Sequence, residues 1–249
     1  MEIQTLDTRE ADVEVDNVLL AGIVGSTAYG LATPESDIDR LGVYAAPTVA
    51  FHGLHPPIGK KASKVSTDPD VTFHEAGKWA HLAMSCNPTA SELVWLPGEL
   101  YETRTPLGDD LIAIRTAFLS AGRVRDAYLG YAVSQFKRLE NRGDGSFSAD
   151  TRKRTAKHAR HLWRLVTQGE QLYATGRLPI RLDDPEGVRA FGERVADGAI
   201  EEARERLAAA EQRFDEIRTP LPERPDEDTV ERWLHAVRAA HYAEPAQRR

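Results

Sequence analysis

The sequence predicts an α/β (α+β) fold: a small mixed β-sheet domain with flanking helices over residues 1–115, then a helical domain over residues 116–249. Three observations predict it. Short apolar runs closed by Gly, Ser, Thr and Pro recur in the first 75 residues and have the length of strands. In the second half the apolar residues recur at helical spacing instead. Between the first two apolar runs stand Gly25-Ser26 and Asp37-Ile38-Asp39, a glycine turn and a carboxylate pair at the mouth of a strand.

Asp16–Val24 ends in an apolar run closed by Gly25-Ser26 and reads as a buried strand. Ala28–Ala32 reads as a short helix stopped by Thr33-Pro34. Ile38–Tyr44 reads as a second strand ended by Ala45-Ala46-Pro47. Residues 48–68 carry Gly53, Pro56-Pro57, Gly59, Lys60, Lys61 and Lys64, which predicts a loop or irregular hairpin with a basic tip. Asp70-Val71-Thr72-Phe73 is short and β-prone. Ala76, Trp79, Ala80 and Ala83 give Glu75–Ser85 a helical face, and Asn87-Pro88 breaks it. Thr89 stands three residues before Glu92, the spacing of a capping box opening Ser91–Leu96.

Val124, Leu129, Val133, Phe136 and Leu139 predict a helix over Val124–Leu139. Ala159, Leu162, Val166 and Tyr173 predict another over Arg152–Thr175, stopped at Gly176. Residues 186–217, rich in Ala, Glu and Arg, form one or two exposed helices. Pro220, Pro222 and Pro225 make a linker, and Thr229–Tyr242 is a last amphipathic helix. No internal repeat is present, and 201–213 is too short for a coiled coil.

The formal net charge of −7, with 29% charged residues, argues against wholesale non-specific nucleic-acid binding but leaves room for a local basic face. Cys86 stands alone, so no intramolecular disulfide forms, and a cytoplasmic setting is expected. The N-terminus has no signal-peptide pattern, and no segment has the apolar length of a membrane helix.

A Gly-Ser turn can offer backbone N–H groups and a hydroxyl to a phosphate. Asp37 and Asp39, if on a strand, share a face. Same-facing carboxylates beside a phosphate cradle suit divalent-metal phosphoryl transfer, so a nucleotidyltransferase is the first expectation. A third carboxylate belongs on a neighbouring strand. Asp70 is the best candidate, both as ligand and as base on the acceptor hydroxyl, with Asp68 the fallback.

These residues resemble the DNA polymerase β nucleotidyltransferase superfamily, and more narrowly its bacterial and phage RNA-repair-pathway branch. The resemblance rests on residues 25–39, on Asn87-Pro88-Thr89 with Glu92-Leu93, and on His161-Leu162-Trp163-Arg164-Leu165. It implies transfer of a nucleoside monophosphate from an NTP to a hydroxyl with release of pyrophosphate, an EC 2.7.7-type reaction using Mg²⁺ or Mn²⁺. Gly25 and Ser26 would hold the β/γ-phosphates, Asp37 and Asp39 the metals, and Asp70 the catalytic metal and the acceptor proton. RNA or tRNA ends are the acceptors that the branch's name suggests.

Lys157, His161 and Arg164 share a helix face in a basic run that includes Arg152, Lys153, Arg154 and Arg160. That face suits a triphosphate or an acceptor backbone; balance by the acidic helices of 186–231 explains it equally well. His158 and His161 lack a third ligand at matching spacing for zinc. Ser36 reads as a turn residue, Tyr29 as a packing or base-stacking ring, Asn87 and Glu92 as a turn and a cap, and Trp79 and Trp95 as core. A small-molecule acceptor such as an aminoglycoside, a protein hydroxyl (AMPylation), and a non-catalytic nucleotide-binding or antitoxin-like partner stay open as alternatives.

Overall fold

A computed structural model of the protein describes residues 15–34, 36–140 and 149–242. Strand β1 (Val18–Val24) runs into helix α1 (Gly25–Tyr29), and β2 (Asp39–Tyr44) returns beside β1. Two 3₁₀ turns (Thr48–His52 and Gly59–Ala62) lead to β3 (Ser63–Thr67) and β4 (Asp70–Glu75). Then come α2 (Ala76–Met84), the single turn α3 (Pro88–Ser91), β5 (Tyr101–Arg104) and α4 (Pro106–Ala113). The helical part is α5 (Ala121–Glu140), α6 (Ala149–Thr175), α7 (Pro185–Ala196), α8 (Ile200–Glu216) and α9 (Glu227–Ala240).

The five strands form one mixed sheet in the order β3-β4-β2-β1-β5. β1 is antiparallel to both β2 and β5, β2 is parallel to β4, and β3 is antiparallel to β4. The register sets Val24 opposite Asp39, and pairs Arg40 with Val71. The end of β1 and the starts of β2 and β4 therefore meet at one end of the sheet. β1 and β2 are buried along nearly their whole length, as strands covered on both faces are. Gly42 and Gly108 permit two close approaches: a Cβ on Gly42 would strike the Phe73 ring, and one on Gly108 would strike the Leu19 carbonyl. The second lets α4 lie directly on β1, where Thr105 donates its backbone N–H and its hydroxyl to Leu19 O.

Several elements differ from expectation. The helix after β1 starts on the Gly-Ser turn itself and stops at Gly30, where φ is +78°, well before Thr33-Pro34. The glycine ends it in the left-handed conformation before proline can. The 48–68 segment is a connection and then a true edge strand, β3. No strand was expected at β5, whose alternating half-buried pattern is only four residues long. The capping box at Thr89–Glu92 does not form. Asn87 caps α3 by accepting from the Thr89 and Ala90 N–H groups, and Glu92 points inward. As expected, glycine ends α6 at Gly176 (φ +70°), and the 186–217 stretch is two helices, α7 and α8, separated at Gly198 (φ +113°).

α6 is the hub of the helical part, packed against α5, α7 and α8. α9 returns to the N-terminal half: Arg238 pairs with buried Glu75 at 2.6 Å, and the Trp233 indole donates to Leu107 O at 2.9 Å. One continuous apolar core runs from Leu19 and Leu20 through Trp79 and Leu162 to Val237. Among the described residues no helix is long and apolar enough to cross a membrane.

Candidate active site

The site lies where β1, β2 and β4 end or begin together. Val24 passes into Gly25, whose φ of +67° disfavours any side-chain-bearing residue. A Cβ here would collide with Asp39 Oδ2 and stand 2.8 Å from Asp39 Cγ. The Gly25 Cα is thus pressed against the Asp39 carboxylate. Asp39, first residue of β2, is half-buried, and Asp70 opens the parallel neighbour β4. The parallel register that pairs Arg40 with Val71 sets Asp39 beside Asp70, close enough for the two carboxylates to act on each other. Burial pushes Asp39 up from the usual carboxylate range, the charge and hydrogen bond of Asp70 push it further, Lys157 pulls it down, and Asp37 adds a smaller push upward.

Asp70, not Asp68, is the partner of Asp39. Asp68 is exposed in the β3–β4 turn, where its backbone is tied to the Ser66 hydroxyl. Asp37 lies ahead of β2 in irregular chain and is exposed. It shares no strand with Asp39, yet its charge is felt there. Among the described residues no three His, Cys, Asp or Glu side chains cluster as metal ligands; the close contact is between two carboxylates. Two carboxylates in contact repel unless a proton or cation lies between them, and hard oxygen donors suit Mg²⁺ or Mn²⁺. The pair therefore fits a divalent ion. Ser26, next after Gly25, is half-buried, and its carbonyl accepts from Leu31 N–H, closing α1. Ser36 is a turn residue, its Oγ accepting from Thr33 N–H.

The basic helix divides in two. Lys157 on α6 is exposed, and its charge acts on Asp39. Arg152 is held by Glu193 and Asp197 and Arg160 by Glu193, both toward the C-terminal end of α7, while Arg154 pairs with Asp150 on its own helix. Arg164 is buried and His161 half-buried, so neither is open to a ligand as an exposed cation would be. Arg164 is 2% exposed, with its guanidinium 4.3 Å above the Tyr29 ring, 3.8 Å from Glu92 Oε2 and donating to Gln168 Oε1 at 2.8 Å. His161 stands beside it, 3.3 Å from Arg164 Nη2, and burial foremost, then Arg164, lowers its pKa to about 2. It is a neutral acceptor there. His158 bonds Gln135.

Glu92 and Tyr29 were not expected as partners. The Tyr29 hydroxyl donates to Glu92 Oε2 at 2.5 Å, and Glu92 is 2% exposed. Burial raises Glu92 to about 7 against the pull of Arg164 and the Tyr29 hydrogen bond. Tyr29 is raised well above 10, chiefly by burial. Trp79 is core, its indole bonded to Ala90 O, and Trp95 is packed beneath Arg115.

A family model described as the RNA repair pathway DNA polymerase beta family matches residues 2–247. No curated protein matches the chain.

Proposed function

The chain belongs to the RNA repair pathway DNA polymerase beta family, and on that premise we propose that it transfers a nucleoside monophosphate from an NTP to a hydroxyl, an RNA or tRNA end, with release of pyrophosphate. The observation that carries this reading is the contact of Asp39 and Asp70 against the bare Cα of Gly25. Two carboxylates converge where the chain turns on a glycine, and the positive charge of Lys157 acts on Asp39.

In this reading Asp37, Asp39 and Asp70 hold Mg²⁺ or Mn²⁺, which when bound would neutralise charge on the triphosphate and on the attacking oxygen. Gly25 and Ser26 bind the β/γ-phosphates through backbone N–H and hydroxyl. Asp70 takes the proton of the acceptor hydroxyl. The acceptor oxygen bonds to the α-phosphorus as the bond to the β-phosphate oxygen breaks, and pyrophosphate leaves with the electron pair. Lys157, whose charge acts on Asp39, supplies a counter-charge for the triphosphate. Arg164 and His161 serve from below, through what they hold. A cytoplasmic setting belongs to the same reading, Cys86 being single and buried.

The test is labelled NTP, each of the four in turn with Mg²⁺ or Mn²⁺, against total RNA, tRNA, protein and an aminoglycoside. Expected is acceptor-dependent pyrophosphate release with label on RNA, abolished by Asp37→Ala with Asp39→Ala. Release that survives the double substitution overturns the metal-site assignment. Label on the aminoglycoside alone moves the acceptor to a small cation, which the net charge of −7 favours.

A further inference from the structure

Beneath the site lies a set of polar groups that the reaction does not use. Glu92 and Arg164 are each 2% exposed, and Gln168 is 1% exposed. They come from three places in the chain: Tyr29 from the end of α1, Glu92 from the segment after α3, and Arg164 with Gln168 from the middle of α6. Gln168 extends the set by donating to the Pro179 and Ile180 carbonyls. Arg164 Cζ lies over the Tyr29 ring, 4.3 Å from its centroid, while Nη1 is 3.8 Å from Glu92 Oε2, and the same Tyr29 donates to that acid.

This arrangement is a poor way to stabilise a fold. A buried ion pair contributes about as much as well-packed apolar residues of the same volume, or less. The set is also incompletely satisfied. Among the described residues Arg164 Nε and Tyr128 Oη are buried without a hydrogen-bond partner in the protein, and Tyr128 belongs to the same set, since the charges of Arg164 and Glu92 act on it and it acts on Tyr29. What the contact does have is placement. α1 carries the Gly25-Ser26 turn at its start and Tyr29 at its end. α6 carries Lys157 two turns, about 10 Å, before Arg164 on the same face.

We propose that the Tyr29–Glu92–Arg164 contact is a positioning device that fixes α1 against α6, and so sets the Gly25-Ser26 turn and Lys157 at the distance that a triphosphate needs from Asp39 and Asp70. Stacking of the planar guanidinium on the ring fixes orientation, which a lysine at 164 does not supply. The proposal rests on the nucleotidyl-transfer reading for its consequence, but not for its geometry.

The experiment pairs Glu92→Leu with Arg164→Met, removing both buried charges together and keeping their volume. The expected result is a thermal midpoint within a few degrees of wild type, kcat at saturating NTP at least tenfold lower, and amide exchange at residues 26–31 at least tenfold faster. Tyr29→Phe, which removes one hydroxyl and keeps the ring, is expected to fold and to lose several-fold in kcat. A double variant that recovers stability and retains wild-type kcat and wild-type exchange at 26–31 overturns the proposal. Should wild type turn over no NTP, the reaction reading fails, and the exchange comparison at matched stability still decides the positioning role: faster exchange supports it and unchanged exchange refutes it.

Discussion

Gly25→Ala separates two effects that glycine usually confounds. At φ +67° an alanine is strained by about 1–2 kcal/mol. Gly30 has the same handedness, at φ +78°, so it carries the same strain. The two differ in what the new methyl meets. At Gly30 the nearest atoms are Pro185 Cγ at 3.6 Å and Arg181 Cγ at 3.9 Å, ordinary contacts. At Gly25 the methyl collides with Asp39 Oδ2 and stands 2.8 Å from Asp39 Cγ and 3.1 Å from its Cβ. Carbon–carbon contact settles near 3.5–4.0 Å, so the carboxylate must retreat by about 1 Å. Misplacement of a catalytic group by about 1 Å costs on the order of 10²-fold. Urea unfolding should therefore find both variants destabilised by about 1–2 kcal/mol. Pyrophosphate release should fall on the order of 100-fold for Gly25→Ala and less than about threefold for Gly30→Ala. Equal losses in the two variants would refute the claim that the bare Cα of Gly25 seats Asp39.

Asp70→Asn should reduce transfer by at least about 100-fold, whereas Asp68→Asn, exposed in its turn, should stay within about twofold. The same Asp70→Asn change should slightly stabilise the metal-free protein at neutral pH, since it removes the charge that raises Asp39. Glu92 gives a pH signature. Its folded pKa, about 7, lies above its usual 4.5 because burial outweighs Arg164 and Tyr29, with Asp39 adding to the rise. The folded state thus holds its proton more tightly than the unfolded one. Its contribution to stability is full below about 4.5 and is lost as pH rises to about 7. Urea midpoints of Glu92→Gln should vary less across that window than those of wild type, and a parallel slope would sink the assignment. Arg238→Ala leaves Glu75, 2% exposed, without its cation. Breaking a buried pair costs about 3–5 kcal/mol; with the Arg238 side chain 20% exposed, about 2 kcal/mol is expected, read as a lower thermal midpoint.

The strands and long helices were legible because their signals are local. Val18–Val24 is a continuous apolar run, and Arg152–Thr175 repeats its apolar residues at helical spacing before a glycine. Asp39 was legible beside the glycine turn, whereas Asp37, read as its same-face partner on a strand, lies ahead of β2, where the chain is not yet a strand. Asp70 was preferred over Asp68 because it heads a β-prone run, and the parallel pairing of β4 with β2 is what carries it to Asp39. β5 was missed because it is four residues long with two of them exposed, and its strand character comes from pairing with β1.

Glu92 and Arg164 were misread for a deeper reason. A charge at helical spacing is normally a surface residue, and Glu three positions after Thr is a familiar cap. Both rules are local, and burial is set by what packs on the far side. One sequence signal did exist. From Leu162 to Gly169 the chain reads Leu-Trp-Arg-Leu-Val-Thr-Gln-Gly, and Leu162, Leu165, Val166 and Gly169 are buried together with Arg164 and Gln168. Apolar residues that go most of the way around a helix mark one enclosed by neighbours. Polar residues left within it at i and i+4 must then face each other or a buried partner, as Arg164 faces Gln168, Glu92 and the Tyr29 ring. By that reasoning α6 carries exposed charge toward Asp39 at Lys157, where its surround opens, and the internal stripe one to two turns on fixes where that lysine stands.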